Sequence, residues 1–297
     1  MGLALPALCL LAREHKKRPL KGPVLTIGRQ CVYATVEDIT TMLREENLTV
    51  HPLPSTQSTA TNIPAWKNTP NEQYTSDQVF FQLLTGLPVA ALDVSAYEGA
   101  EYVWDLNNPV PDDWTHKFGT VIDSGSLEHV FNIKQALINM NRLTAPHGKI
   151  IHITPANNYL EHGFFQFSPT LFIDYYSVNN FEKLSCILIE QSTWDGNTSW
   201  YGWEWGIQRP YTPVMNAKTT ALFVSAEKGA NSTEHITPQQ GQGANHGEGG
   251  RTGEFTATDS QKKIIEQLPL WLITIVKRLL GKDLRKKPWG LKYLGKI

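Results

Sequence analysis

Three short apolar runs in this chain stop on a carboxylate, and a fourth stops on a glycine. Val24-Leu25-Thr26-Ile27 ends at Gly28, Val89 to Leu92 at Asp93, Tyr102-Val103-Trp104 at Asp105, and Thr120-Val121-Ile122 at Asp123. If these runs are strands of one sheet, three carboxylates and a point of close backbone approach share one edge. A nucleoside ligand needs that layout: bare backbone to lie against, a carboxylate for sugar hydroxyls and a polar group for the base. Aspartates also end strands as turn and cap residues, so each alone is a weak sign. Histidines lie close by. Glu128-His129 follows the fourth run, and His152 and His162 bracket the end of the next, with Asn157 and Asn158 between them. Neutral imidazole suits proton abstraction near neutral pH, which makes His129 and His162 the candidate catalytic bases. Together with Asp123, Glu128 and His152 they offer oxygen and nitrogen donors, but no H-x-x-x-H or comparable ligand spacing appears, and no metal is expected.

The elements that must position these groups alternate between strand and helix. Helices are expected over Leu3 to His15, Val36 to Glu46, from Ser76 or Asp77 to the stop at Gly86, and over Pro169 to Tyr176. Apolar residues at Val130, Ile133, Leu137, Met140 and Leu143 mark another, entered through Leu127-Glu128-His129. A Pro146-His147-Gly148 turn then leads to a buried strand, Lys149 to Ile153. Strand–helix–strand units of this kind build a parallel α/β sheet with its ligand at the carboxyl ends of the strands. Two later runs, Leu184 to Ser192 and Thr220 to Val224, read as a closing antiparallel hairpin. Residues 52–75, rich in Pro, Thr, Ser and Asn, read as a long surface loop of the lid or binding-loop kind.

The stretch from Phe118 to Ser168 resembles the second half of the class I S-adenosylmethionine-dependent methyltransferase fold. Phe118 to Asp123 stands for its "fDxVid" strand, Leu127 to Val130 for "LEHv", and Arg142 to Gly148 for "rlLkPGG". Asp93-Val94-Ser95-Ala96-Tyr97-Glu98-Gly99-Ala100 and Asp105-Leu106-Asn107 are similar to a bacterial methyltransferase-like subset, over roughly residues 20 to 182. The resemblance implies a Rossmann-like α/β sheet, mostly parallel with a final antiparallel hairpin, and S-adenosylmethionine as cofactor. It implies Asp93 for the ribose, Asp105 with Leu106 for the adenine, and Asp123 near the sulfonium, with Gly125 also against the cofactor. The expected first turn, G-x-G-x-G, is here Gly28-Arg29-Gln30-Cys31-Val32-Tyr33, with one glycine. Gln30 would replace a backbone contact with its side chain. The implied reaction is methyl transfer, by O-methylation of a small molecule or glycan. The alternative is a methyltransferase-like binding or scaffold protein without turnover.

Composition sets the remaining expectations. The 297 residues carry a net charge of −1, which gives no overall attraction to nucleic acid. The charge is uneven, with ten Lys and Arg against two Asp and Glu from Lys262 to Ile297. Three scattered cysteines suit a reducing cytoplasm. The apolar N-terminal run is short and is followed, not preceded, by its positive charges, which is the wrong polarity for a secretory signal. The expected organisation is a methyltransferase-like domain over 1–225, a disordered Gly- and Gln-rich linker over 226–260, and a basic amphipathic helix over 261–297. That last segment, with Trp271, Trp289 and Tyr293, suits peripheral contact with an anionic membrane, or docking on the body. Trp194, Trp200, Tyr201, Trp203, Trp205 and Tyr211 form an aromatic cluster that suits either a sugar ring or core packing.

Overall fold

The computed structural model describes residues 2–58, 74–192, 199–207, 218–241 and 291–297. β1 (Gly2–Ala4) leads into α1 (Leu5–Lys17). β2 (Val24–Ile27), β3 (Cys31–Tyr33), α2 (Val36–Glu45) and β4 (Thr75–Ser76) follow. Then come α3 (Asp77–Thr85), β5 (Val89–Asp93), β6 (Tyr102–Val103) and β7 (Phe118–Ser124). α4 (Ile133–Leu143), β8 (Thr144–Asn157), α5 (Pro169–Val178) and β9 (Phe181–Ser192) form the second half. β10 (Ser199–Glu204), β11 (Thr219–Lys228) and β12 (Lys292–Lys296) complete the order.

The main sheet runs β12-β10-β9-β11-β8-β7-β2-β5-β6. The five strands from β8 to β6 are parallel, and β11, β9, β10 and β12 extend them antiparallel. The expected closing hairpin is therefore the middle of a longer antiparallel wing. This is a Rossmann-like sheet, and its strand order reverses at β2, which lies between β5 and β7. The crevice outside that reversal is where such sheets hold ligands. β1, β3 and β4 make a second, small sheet.

Alternation along the strands decides what lies on each face. Leu25 and Ile27 of β2, Val121 of β7 and Ile150 of β8 point to the face covered by α4 and α5, with Leu137, Met140, Phe172 and Tyr176. Val24, Ile122, Ile151 and Ile153 point to the other face, against Leu8 and Leu11 of α1, Ile39 of α2 and Phe80 and Leu84 of α3. Strands buried on both faces read as continuous apolar runs, which is why they stand out in the sequence.

Four expectations change. α4 starts at Ile133, capped by Asn132, whose side chain accepts from the Gln135 N–H, so Leu127–His129 form a separate 3-10 turn ahead of it. The Pro146-His147-Gly148 turn is an irregularity inside one long β8, where the register shifts between Phe118↔Thr144 and Thr120↔Lys149. Residues 226–228 belong to β11, and 229–241 lie along α4 and α5 rather than opening a linker. There the Tyr175 hydroxyl donates to Glu234 O, the Asn179 side chain to Ile236 O, and Gly241 N to Asp174. Side-chain partners satisfy this backbone, which an apolar count does not see. Finally, β12 is an edge strand, and Tyr293 packs against Trp203 at 4.7 Å between ring centres with the rings tilted by 47°. Residues 242–290, which include the expected helix with Trp271 and Trp289, lie outside the described residues, as do Trp194 and Tyr211. Among the described residues no helix is long and apolar enough to cross a membrane.

Candidate functional site

A cavity of about 290 Å³ opens at the carboxyl ends of β2, β5, β6 and β7. Of the residues expected against a cofactor, Gly28, Gln30, Asp93, Asp105, Leu106 and Gly125 line it, and so does the candidate base His129. Glu98, Trp104, Asn107 and Ser126 line it as well. None of these four was singled out from the sequence, although Glu98 and Asn107 stand inside the motifs quoted above.

Gly28 is where the backbone must stay bare. Its φ is +76°, and a Cβ there would meet Ser126 Oγ at 2.9 Å and Asp93 Oδ2 at 3.7 Å. The rest of the turn is held by side chains instead of further glycines. Arg29 Nη1 donates to Asp77 Oδ1 at 3.0 Å and Arg29 Nη2 to Glu101 Oε2 at 2.5 Å. Asp77, the first residue of α3 and fully buried, also accepts from Thr26 Oγ1, Gln30 N and Gln78 N. Burial holds its carboxyl above the usual carboxylate value, against the opposing pull of Arg29 and the Gln30 and Gln78 N–H groups. Gln30 Nε2 donates to Ile27 O and Gly28 O, and the side-chain oxygen Oε1 has no hydrogen-bond partner among the described residues. The side chain expected to touch a cofactor therefore braces the turn with its amide and keeps one acceptor spare.

The aspartates divide. Asp93 accepts from Ser95 N at 3.2 Å, and burial, then the charge of Asp93, pushes the Glu98 carboxyl up, these two lying beside Asp105 on the cavity wall. Asp105 accepts from Asn107 N and from the side chains of Asn107 and Asn108, which shapes the segment beside the cavity. Asn139 of α4 fixes the same segment from below, donating to Leu106 O and Asn108 O and accepting from Val110 N. Asp123 does not line the cavity. Its Oδ1 accepts from Ser126 N and Leu127 N, and its Oδ2 lies 3.0 Å from His152 Nδ1. His152 Nε2 lies 2.6 Å from the Tyr176 hydroxyl, so His152 is a core residue and not part of a strand-end site. Strand ends in this fold carry both cavity-facing and structural aspartates, and only the packing tells them apart.

His129 and His162 come together with their rings 5.4 Å apart, His162 standing just outside the cavity. Glu128 is fully buried beside them, with Oε1 3.6 Å from His162 Nε2. Neither Glu128 oxygen has a hydrogen-bond partner among the described residues. Burial, then the charge of Asp123, pushes its carboxyl up to about 8. The His129 imidazole is pushed down by burial and by His162. The aromatic cluster contributes no cavity residue among those described: Trp200 and Trp203 are buried on opposite faces of β10.

No family model matches this chain, and no curated protein sequence matches it. Solved structures do. The citrinin polyketide synthase CMeT domain matches over 76% of this chain at 10% identity and a TM-score of 0.37, and only 52% of that longer chain is covered. A SAM-dependent methyltransferase from Archaeoglobus fulgidus matches over 74% of this chain and 94% of its own, at 10% identity and a TM-score of 0.38. Burkholderia thailandensis 1,6-didemethyltoxoflavin-N1-methyltransferase, solved with S-adenosylhomocysteine, matches over 66% of this chain and 79% of its own, at 12% identity and a TM-score of 0.32. Two are methyltransferases by name. Overlaps this loose decide neither substrate nor reaction, which rest on the residues of the site.

Proposed function

We propose that this protein binds S-adenosylmethionine in the cavity at the ends of β2, β5, β6 and β7 and transfers its methyl group to a small-molecule acceptor. The observation that carries this is the grouping around one cavity of Gly28 and three carboxylates, Asp93, Glu98 and Asp105. Bare backbone at Gly28 admits a ligand closely, Asp93 offers acceptors to ribose hydroxyls, and Trp104 offers a ring face to a base. A second carboxylate also favours a ligand carrying positive charge, as a sulfonium does. Transfer would then depend mainly on holding the acceptor in line with the sulfonium carbon.

The acceptor side is the Glu128–His129–His162 cluster. Transfer to oxygen requires the acceptor to lose a proton, and these groups stand where that proton would leave. The rim beside them is apolar and open: Phe131 is 72% exposed and Phe164 is 66% exposed, packed edge to face at 5.6 Å. An acceptor with an apolar body and a hydroxyl fits this rim. Trp200 and Trp203 are packed in the core and lend no support to a glycan.

Calorimetry with S-adenosylmethionine and S-adenosylhomocysteine tests the reading. Micromolar binding that is lost in Asp93→Ala, and kept in His129→Ala while turnover stops, is the expected result. Absence of binding up to millimolar concentration overturns it and leaves a methyltransferase-like binding protein.

A further inference from the structure

We propose that Glu128, His129 and His162 form a binding site for one divalent first-row transition-metal cation at the acceptor edge of the cavity. One carboxylate oxygen of Glu128 and one ring nitrogen from each histidine lie within 4.8 Å of one another, a span that a single ion can bridge. Glu128 is fully buried, and neither of its oxygens accepts a hydrogen bond from the described residues. His162 Nε2 is likewise buried without a hydrogen-bond partner among the described residues, 3.6 Å from Glu128 Oε1. Buried polar groups are almost always satisfied, so orphaned acceptors on two neighbouring side chains call for a ligand. A cation satisfies all of them at once, and it offsets the burial of a carboxylate that no cation of the chain neutralises among the described hydrogen bonds and ion pairs.

The backbone is built to bring the donors together. Phe164 N donates to Glu128 O at 2.8 Å, and Phe165 N donates to the same oxygen at 3.3 Å. Between His162 and Phe164, Gly163 has a φ of +91°, and a Cβ there would lie 2.8 Å from Glu128 O and 3.0 Å from Glu128 Cγ. The loop after β8 is thereby pressed onto the 3-10 turn, with His162 over the carboxylate. Two imidazoles and a carboxylate suit zinc, manganese or cobalt better than calcium or magnesium, which prefer oxygen. Three protein donors also leave coordination positions open on the side where exposed His129 meets the cavity. An acceptor hydroxyl bound in one of these would be more easily deprotonated, and His129 would then act as a ligand and not as the base. The sequence offers all three as donors yet argues against a metal, because His162 stands 33 residues after His129 with no short motif joining them.

The cation site rests on these side chains and not on methyl transfer, so it is tested by binding alone. The full chain is stripped with a chelator and titrated with Mn²⁺, followed by loss of the free-ion signal in paramagnetic resonance, and with Zn²⁺ by calorimetry. One ion per chain is expected, with affinity reduced at least tenfold in Glu128→Gln and in His162→Ala, and a thermal stabilisation by the ion that both variants lose. Glu128→Gln keeps the shape of the side chain, and His162 lies in a partly exposed loop, so both variants should fold. S-adenosylhomocysteine binding on the same samples reports separately on the cofactor pocket. No stoichiometric ion, or an ion bound as tightly by both variants as by the parent, overturns the proposal.

Discussion

Asp123 and His152, on neighbouring parallel strands, face each other at 3.0 Å with both side chains fully enclosed. Tyr176 closes the chain from α5 through its hydroxyl. A carboxylate at a strand end next to the cavity is thus committed to tying β7, β8 and α5 together. Removing it leaves His152 and two N–H groups without their acceptor in the core. Asp123→Ala is expected to lose about 3 kcal/mol of stability, in the range for breaking a buried pair, and Tyr176→Phe about 1 kcal/mol for one hydrogen bond. Urea unfolding measures both. An Asp123→Ala protein as stable as the parent but unable to bind S-adenosylhomocysteine would return this residue to the cofactor site.

Arg29 and Asp77 make the corresponding brace under the first turn. Arg29→Met strands a buried carboxylate and is expected to cost about 3–5 kcal/mol. Arg29→Met with Asp77→Leu should cost less than the two single changes summed, because neither partner is then left charged and alone. Loss of the brace also frees Gly28 and Gln30, so cofactor affinity should fall in Arg29→Met under conditions where the protein remains folded. A double-mutant cycle on urea midpoints that shows simple additivity would remove the coupling.

What the sequence reveals follows from how the information is stored. Strands buried on both faces, such as β2 and β7, announce themselves as apolar runs, and Ser76 and Gly86 bound α3 as their residue types suggest. Gly28, Asp93 and Asp105 reach one cavity because strand ends in a parallel sheet share an edge. Long-range pairing leaves no such local sign. Nothing near Arg29 points to Asp77, 48 residues away, nor near Asp123 to His152. Asn139 sits in an amphipathic helix pattern as an unremarked polar residue, yet it holds the loop carrying Asp105 and Leu106. Asp123 and Asp93 end their strands in the same way in sequence, and only packing turns one inward.

Lys228 gives the protein a pH signature. Its ammonium is buried at the end of β11, donating to Asn141 O and Thr144 O, and burial lowers its pKa to about 8. The unfolded chain keeps the ordinary lysine value of about 10.4. Between these two values the unfolded state binds more protons than the folded state, so stability rises with pH across that window. Below about pH 8 both states are charged and the contribution is flat. Lys228→Met should remove this rise, leaving whatever slope Lys149, also lowered by burial, contributes. Urea unfolding of both proteins at several pH values from about 8 to 10 checks it, and parallel slopes would show that Lys228 titrates normally.

Gly163 tests how closely the proposed acceptor side must be assembled. It holds a φ of +91° while its backbone touches Glu128, so alanine meets both a strained conformation and a contact of 2.8 Å with a backbone oxygen. The 3-10 turn cannot yield easily, because Leu127 N is bonded to Asp123 and Ser126 to the end of β2. The loop must therefore move, carrying His162 away from Glu128. Gly163→Ala is expected to weaken Mn²⁺ binding at least tenfold and to lower methyl transfer to a hydroxyl acceptor. Binding of S-adenosylhomocysteine should stay the same, since Gly163 does not line the cavity. The converse pattern, with cation affinity kept and cofactor affinity lost, would mean that the loop supports the nucleoside side and that the acceptor edge has been placed wrongly.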